Sequence, residues 1–266
     1  MPKPFVAVVT GASSGIGQAI AIEFARRGAT LILNCRQNLN GLAETVSQIS
    51  GLSSRSDNLL SIVSDIESAD SSRSMVSAAF ERHGYVDVWV HAAGADVLTG
   101  DAGNLAFSEK LTKLWATDVL GTFVLSRMIA AKMLEQPKLE DRLPSMVHIG
   151  WDQAEQGMEG DSGQYFSATK AAVAAFSKSL AKSVAPRIRV NCIAPGWIQT
   201  EWGKYASSEW QQRATDESML GRWGSAQDVA RVVAAISFSD GGFINAQTIA
   251  VNGGWQGKPR AARTVE

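Results

Sequence analysis

The feature that most constrains the fold is a regular alternation of short β-branched runs with longer helical patterns along most of the chain. Apolar runs of this length indicate strands buried on both faces of a parallel sheet, and the helical stretches indicate crossover connections. The alternation predicts a doubly wound α/β fold of about seven parallel strands with helices on both faces. The predicted strands are Val6 to Val9, Thr30 to Cys35, Leu59 to Ser64, Val86 to His91, Ser145 to Gly150, Arg187 to Ile193 and Gln247 to Val251. The predicted helices are Gly15 to Arg27, Gly41 to Ile49, Ser68 to His83, Leu105 to Leu134, Ser162 to Val184 and Ala226 to Ser237.

The composition favours one folded domain with a small-molecule partner. Of the 266 residues, 45% are apolar and 19% are charged, which suits a large core and is unlike a disordered chain. Lys and Arg number 25 against 26 Asp and Glu, so no basic excess exists to attract nucleic acid or an anionic membrane. We expect a single domain over residues 1–256 and a loose C-terminal tail over 257–266.

The N-terminal sequence and the few thiols and imidazoles argue against several other classes of protein. The first apolar run stops at Thr10, which is too short for a signal-peptide core or a membrane span, so we expect a cytoplasmic protein. Cys35 and Cys192 lie far apart in sequence, which predicts reduced thiols rather than a disulfide framework. The three histidines are scattered without a second ligand type at a metal-binding spacing, so no metal site is predicted.

One segment, Gln199 to Trp223, is longer than a connection between two elements needs, and it carries Trp202 and Trp210. Long connections in compact domains are often functional. We expect the segment at about 199–223, called the lid segment below, to cover a binding cleft.

A glycine-rich turn stands where the first predicted strand ends and the first helix begins: Thr10-Gly11-Ala12-Ser13-Ser14-Gly15-Ile16-Gly17. Glycines let the backbone turn sharply and approach a pyrophosphate, while the free N–H groups and positive dipole end of the helix bind the anion. Gln18 follows Gly17, so the lysine of a Walker loop is missing. The turn therefore predicts a dinucleotide phosphate site, and a purely structural turn is the alternative.

The end of the second predicted strand bears on the choice of cofactor. This strand end meets the adenosine ribose in such folds, and an acidic residue there would bind the ribose hydroxyls of NAD and repel a 2′-phosphate. The chain instead has Cys35 followed by Arg36, a guanidinium suited to phosphate. NADP(H) is therefore favoured over NAD(H), unless Arg36 is simply a solvated loop cation.

Further motifs resemble those of the short-chain dehydrogenase/reductase family over nearly the whole chain. The glycine-rich turn matches the family's, and Asp65-Ile66 resembles the pair that holds the adenine ring. His91 to Gly94 resembles the family's Asn-Asn-Ala-Gly turn, and Asn191 to Thr200 resembles the segment that cradles the nicotinamide. Gly221 to Gly224 and Val251 to Gly254 complete the match. The resemblance implies a single Rossmann-type domain, oxidoreductase activity on a carbonyl/alcohol pair, and a homodimer or homotetramer.

The resemblance also implies roles for single residues. Ile198 is expected to face the carboxamide, Thr200 to lie near the phosphates, and Lys170 to bind the nicotinamide ribose. The predicted cofactor-binding residues are Gly11, Ser13, Ser14, Gly15, Ile16, Gly17, Arg36, Asp65, Ile66, Ala92, Ala93, Gly94, Lys170, Pro195, Gly196, Ile198 and Thr200.

The family's catalytic tyrosine is displaced in this chain. In the family a tyrosine lies four residues before a lysine on one helix face, where the ammonium lowers the pKa of the phenol for proton transfer to a carbonyl. Lys170 matches the lysine, but Phe166 stands at the tyrosine position. Tyr165 is one residue further back, where a regular helix turns it about 140° away from Lys170. Only a bulge or a late helix start would make Tyr165 the proton donor.

Two other catalytic positions of the family also differ. Trp151 stands where the family has a serine that holds the substrate oxygen. Asp118 stands where the family has the asparagine of a proton relay, and its carboxylate is able to bind a water. Of the four positions, only Lys170 is kept. The predicted catalytic residues are Lys170, Tyr165 and Asp118.

The loop before that helix is acidic, with Asp152, Glu155, Glu159 and Asp161. Such a loop suits a cationic or polyhydroxylated ligand, and a solvated acidic surface is the alternative.

Two functions remain open on the sequence. The first is an NADP(H)-dependent oxidoreductase that works with a displaced Tyr165 or with a water held near Lys170 and Asp118. The second is a catalytically inactive dinucleotide-binding homologue that acts as a sensor or partner subunit. The family includes members with a relocated tyrosine, notably among enoyl reductases, and this analogy favours the enzyme.

Overall fold

In the computed structural model, the described residues are 3–52, 59–139, 142–238 and 242–255, without the side chains of Trp202 and Tyr205. The predicted tail at 257–266 lies outside the described residues.

The described chain forms one seven-stranded parallel sheet, which confirms the predicted fold class. Strands β1, β2 and β6 are buried along their whole length, as apolar runs in a parallel sheet require. The spatial order is β3-β2-β1-β4-β5-β6-β7. The strands are β1 Val6–Thr10, β2 Thr30–Cys35, β3 Leu59–Val63, β4 Val88–His91, β5 Ser145–Ile149, β6 Arg189–Pro195 and β7 Thr248–Val251.

The helices follow the predicted order, with one interruption and two additions. The helical pattern from Leu105 to Leu134 is observed as two α-helices joined by the π-helical segment Trp115–Gly121. The lid segment contains two short helices that its polar sequence did not indicate. The α-helices are α1 Gly15–Arg26, α2 Leu39–Ser50, α3 Ala69–His83, α4 Phe107–Leu114, α5 Thr122–Glu135, α6 Gly160–Val184, α7 Glu201–Tyr205, α8 Ser208–Glu217 and α9 Ala226–Ser237.

Side chains alternate between two cores, one on each face of the sheet. From β1, Ala7 and Val9 pack in the core that includes residues of α1, α2 and α9. Val6 and Val8 point the other way, into the core that includes residues of α3, α5 and α6. The period-2 alternation of a strand therefore supplies both cores.

The continuous helical stretch Phe107–Glu135 is long and apolar enough to meet the length and composition of a membrane span. In the fold, 56% of its most apolar window is buried inside the protein, where α5 packs against α3 and α6. A helix in a protein core meets the same criteria, so these data give no independent support for a membrane span.

The strand order reverses between β1 and β4, and this reversal positions the site. β1 pairs with β2 on one side and with β4 on the other, with Thr10 opposite His91. In open α/β sheets, ligands bind outside the carboxyl ends of the strands at such a switch point. A cleft is therefore expected above Thr10 and His91.

Two histidines form a buried network beneath this edge. The rings of His91 and His148 are stacked with centroids 4.6 Å apart. Ser126 Oγ donates to the Thr122 carbonyl at 2.6 Å and lies 3.2 Å from His91 Nε2 and 2.9 Å from His148 Nε2. Ser177 Oγ donates to the Val173 carbonyl at 2.7 Å and lies 2.9 Å from His148 Nδ1, so both ring nitrogens of His148 lie within hydrogen-bonding distance of a serine hydroxyl. Burial lowers the pKa of His148 to about 3, so the ring is neutral at pH 7.

Acid is expected to destabilise the fold through His148. Its folded-state pKa of about 3 lies below the ordinary value of 6.5, so the unfolded chain takes up the proton first as the pH falls. The contribution of His148 to the free energy of unfolding is fully present above about pH 6.5 and decreases towards pH 3. At pH 5 about 2 kcal/mol of it is lost. Urea unfolding between about pH 5 and 8 measures this slope. The non-titrating variant His148→Gln should show a flatter slope, and equal slopes would contradict the assignment.

Candidate functional site

A cavity of about 660 Å³ opens at the carboxyl ends of the strands, on both sides of the switch point. Residues after β1, β2, β3, β4, β5 and β6 line it, together with residues of α6 and the lid segment. The predicted cofactor-binding residues all line this one cavity: Gly11, Ser13, Ser14, Gly15, Ile16, Gly17, Arg36, Asp65, Ile66, Ala92, Ala93, Gly94, Lys170, Pro195, Gly196, Ile198 and Thr200.

The glycine-rich turn keeps side chains away from the floor of the cavity. Gly11 has φ +67°, and a Cβ there would lie 2.7 Å from the backbone of Ala92 and Ala93. A Cβ on Gly17 would lie 2.2 Å from the carbonyl oxygen of Gly11. Ser14 caps α1 without a side-chain hydrogen bond, so this side chain does not satisfy the first N–H groups of the helix. The bare backbone and the helix N-terminus fit the pyrophosphate of a dinucleotide.

Arg36 lies at the end of β2 and already has a partner. Its Nη1 is 3.2 Å from Glu67 Oε1, and the exposed fractions of the two side chains are 42% and 35%. Glu67 also accepts a hydrogen bond from the Thr117 hydroxyl. The guanidinium thus lies at the end of the cavity next to β2, in a solvent-accessible ion pair with Glu67.

Lys170 and Asp118 meet at the other end of the cavity. Lys170 Nζ lies 2.8 Å from Asp118 Oδ2, and the side chains are 16% and 3% exposed. Asp118 Oδ1 accepts from the N–H of Ala95 at 2.8 Å, and Lys170 Nζ donates to the Ile149 carbonyl at 3.3 Å. Asp118 belongs to the π-helical segment, whose altered turn lies next to the loop after β4. The pair therefore joins α6 to the ends of β4 and β5.

Tyr165 does not lie at this pair, which corrects the expectation that it takes the place of the missing phenol. Helix α6 is regular from Gly160 onward, so no bulge rotates residue 165 towards Lys170. Tyr165 is 2% exposed and packs with Val97 and Leu114, and it is not itself among the residues that line the cavity. Burial also raises the pKa of its phenol, the opposite of what a proton donor needs. Among the described side chains that line the cavity, none is a tyrosine.

Aromatic rings fill the positions next to Lys170. Phe166 lines the cavity one helical turn before Lys170, and Trp151 packs against it edge-on with ring centroids 6.2 Å apart. Trp197 and Trp210, whose ring centroids are 5.5 Å apart, line the same end. Aromatic side chains therefore form part of the cavity lining beside Lys170.

The acidic loop directs its charges elsewhere, and none of the four acidic residues lines the cavity. Asp152 Oδ2 accepts from Asn252 at 3.0 Å, and burial raises the pKa of Asp152 to about 6. Glu155 lies 3.9 Å from Lys178, and Glu159 lies 3.1 Å from Arg213. This arrangement favours the second interpretation of the loop, an acidic surface with internal partners.

Several cavity-lining residues were not singled out from the sequence, among them Val97, Leu98, Met158 and Ser162. Val97 and Leu98 lie in the connection after β4, and Met158 and Ser162 lie just before α6 and in its first turn, where neither spacing nor periodicity marks a side chain as facing a cleft. Their position after predicted strand ends was the one available signal.

Comparisons with known proteins agree with this geometry. A family model described as enoyl-(acyl carrier protein) reductase matches residues 11–256. The 3-oxoacyl-[acyl-carrier-protein] reductase of Escherichia coli is 35% identical over 251 residues, which cover 94% of this chain and 96% of the relative. The corresponding reductase of Thermotoga maritima is 31% identical over 254 residues, with the same two coverages.

Solved structures show the same architecture. A variant of actinorhodin polyketide ketoreductase with NADPH gives a TM-score of 0.80 at 27% identity, over 94% of this chain and 96% of that one. The 3-oxoacyl-[acyl-carrier protein] reductase of Brucella melitensis in complex with NAD gives 0.82 at 25% identity, over 95% and 97%. Relatives of this fold thus occur with either dinucleotide. The chain belongs to the short-chain dehydrogenase/reductase family and is a short-chain oxidoreductase that acts on CH–OH/C=O groups.

Proposed function

We propose that this protein is an NADP(H)-dependent oxidoreductase that interconverts a carbonyl and an alcohol with Lys170, Asp118 and a water in place of the family's tyrosine. The observation that carries the proposal is the 2.8 Å pair of Lys170 and Asp118 inside the cavity that also collects the predicted cofactor residues.

The backbone around the glycine-rich turn would hold the pyrophosphate, and Asp65 and Ile66 would hold the adenine ring. Pro195, Gly196 and Ile198 would border the nicotinamide. When bound, the cofactor supplies or accepts the hydride. The absence of side chains at Gly11 and Gly17, where a Cβ would clash with backbone, supports this assignment.

In the direction of reduction, negative charge develops on the carbonyl oxygen of the substrate. Lys170 would lie against that oxygen and stabilise the charge through its ammonium. A water held near the Lys170–Asp118 pair would give its proton to the oxygen, and bulk solvent would restore it. Asp118 is a positioning residue, because it fixes the ammonium through Oδ2 and is itself fixed by the N–H of Ala95.

Arg36 would bind the 2′-phosphate that distinguishes NADP(H) from NAD(H). Its present partner, Glu67, is a partly exposed carboxylate, and ion pairs of this kind contribute about 0–1 kcal/mol. A phosphate group brings more charge and two acceptors for a bidentate guanidinium, so exchanging Glu67 for phosphate is favourable.

The assembly and location are proposed from the family resemblance and the composition. Exposed apolar side chains on the helical stretch from α4 to α5, among them Leu120 and Val124, would be covered in a homodimer or homotetramer. We further propose a cytoplasmic location, a small-molecule substrate and a single domain. The lid segment at about 199–223 would cover the cleft.

Removing the ammonium is expected to remove most of the turnover. At saturating NADPH, Lys170→Ala should lower kcat about 10²- to 10³-fold, because the developing oxyanion loses its one cationic donor. Asp118→Asn keeps an oxygen for the N–H of Ala95 and loses only the charge, so kcat should fall while the Kd for NADPH stays unchanged. The rate of NADPH oxidation, followed by absorbance at the NADPH band, gives kcat for both variants.

The tyrosines are the controls for this test. The chain has three of them, and Tyr165→Phe and Tyr205→Phe should each retain the parent kcat. Tyr85 needs no variant, because its hydroxyl donates to the Pro4 carbonyl. A large loss in either tyrosine variant would assign the proton to a phenol and contradict the role of the water.

Cofactor preference is expected to depend on Arg36. Arg36→Ala should weaken NADPH binding at least tenfold and leave NADH binding nearly unchanged. Glu67→Gln removes the competing carboxylate and should tighten NADPH binding by a few fold without affecting NADH. Calorimetric titration of both dinucleotides into each variant measures the ratio, and an unchanged ratio in Arg36→Ala would refute NADP(H) selection by this residue.

A second candidate is a dinucleotide-binding protein without turnover. The placement of Phe166 and Trp151 at the family's tyrosine and serine positions favours it, since neither ring donates a proton to an oxyanion as those hydroxyls do. It would show a tight NADPH complex and no rate on a broad panel of carbonyls and alcohols. One robust substrate would exclude it.

A further inference from the structure

The end of the cavity beyond Lys170 is lined largely by aromatic side chains, with Ser162 as a hydroxyl-bearing neighbour on α6. Trp151 and Phe166 line it from the end of β5 and from α6. Trp197 and Trp210 line it from the loop after β6 and from α8. Four aromatic side chains from four separate segments therefore converge on the place where the substrate of the proposed reaction would lie.

The rings of Trp197 and Trp210 are held in fixed positions. Trp197 Nε1 donates to Glu217 Oε2 at 2.8 Å, and Glu217 is 1% exposed. Arg213 donates to the other oxygen of Glu217 at 2.8 Å, and its guanidinium lies 5.8 Å from the ring centroid of Trp197 and 5.1 Å from that of Trp210. The indole N–H of Trp197 is thus already used, so this residue offers a substrate its ring rather than a donor.

The carboxylates that border this end are also already paired. Asp96 accepts hydrogen bonds from the backbone N–H groups of Leu98 and Thr99, and Glu201 lies 3.1 Å from Lys204. Asp118 is bound to Lys170. A cationic or polyhydroxylated substrate would exchange its water for few new partners, which costs binding energy.

From this arrangement we propose that the substrate is a planar aryl ketone, with the carbonyl attached to the aromatic ring, or the corresponding alcohol. The inference rests on the proposed function, because the carbonyl oxygen is placed at Lys170. The oxygen then faces the ammonium of Lys170, the one lysine among the described residues that line the cavity, and the ring packs between the Trp151/Phe166 pair and the Trp197/Trp210 pair. Ring packing of this kind discriminates by roughly tenfold between an aromatic ring and a saturated one of equal size.

The experiment compares acetophenone with cyclohexyl methyl ketone, which have the same carbon skeleton and differ only in saturation of the ring. An acetoacetyl thioester forms a third arm, because the relatives include 3-oxoacyl reductases. For each compound, calorimetric titration into the protein–NADP⁺ complex gives the Kd of the compound. The rate of NADPH oxidation gives kcat/KM. We expect acetophenone to exceed both other compounds about tenfold in affinity and in kcat/KM.

Variants test which side chains cause the preference for the aromatic ketone. Trp210→Leu and Phe166→Leu should each reduce the ratio between the two ketones to about one-third of its parent value or less. Phe243→Leu is the matched control, because Phe243 is fully exposed and lies outside the cavity, and it should keep the parent ratio.

The outcomes separate this inference from the proposed function. If NADPH binds and the cyclohexyl ketone or the thioester equals or exceeds acetophenone, the aromatic preference is overturned while the oxidoreductase proposal stands. If NADPH binds and none of the three compounds binds, the aromatic preference is likewise overturned. If NADPH itself does not bind, both proposals fail.

Discussion

The ion pair of Lys170 and Asp118 connects several elements of the site. Through it, α6, the π-helical segment and the ends of β4 and β5 are fixed relative to one another. A nearly buried pair is costly to desolvate, and the hydrogen bonds from Ala95 and to Ile149 offset part of that cost. Loss of one partner would leave the other charge buried, a change that typically costs 3–5 kcal/mol. The pair therefore contributes to structure as well as to chemistry.

The cavity divides into a conventional end and a rebuilt end. At the adenosine end, bare glycine backbone and a helix N-terminus follow directly from parallel strands that meet at one edge of the sheet. At the other end, Phe166 and Trp151 provide apolar surface, and Lys170 is the described cation beside it. An apolar surface next to an ammonium would strengthen the field that the ammonium exerts on a developing oxyanion. For this reason, loss of the family's tyrosine and serine hydroxyls is compatible with an oxidoreductase fold.

Much of the fold could be predicted from the sequence, because burial on both faces gives continuous β-branched runs, and a glycine-rich turn marks where a strand meets a helix. The π-helical segment could not be predicted, since Trp115 to Gly121 continues the helical periodicity of its neighbours. The position of Tyr165 depended on whether α6 is regular at its start, which propensity does not decide. The pairing of Arg36 with Glu67 joins residues 31 positions apart, and no local pattern indicates it.

The most direct test of this account is a crystal structure with NADP⁺ and a bound ketone, in which distances to the carbonyl oxygen are measured. The account predicts Lys170 Nζ within hydrogen-bonding reach of that oxygen, about 2.7–3.2 Å, with a water near the Lys170–Asp118 pair and the Tyr165 phenol still packed near Val97 and Leu114. A carbonyl oxygen bound by the Tyr165 or Tyr205 hydroxyl, with Lys170 out of reach, would contradict it.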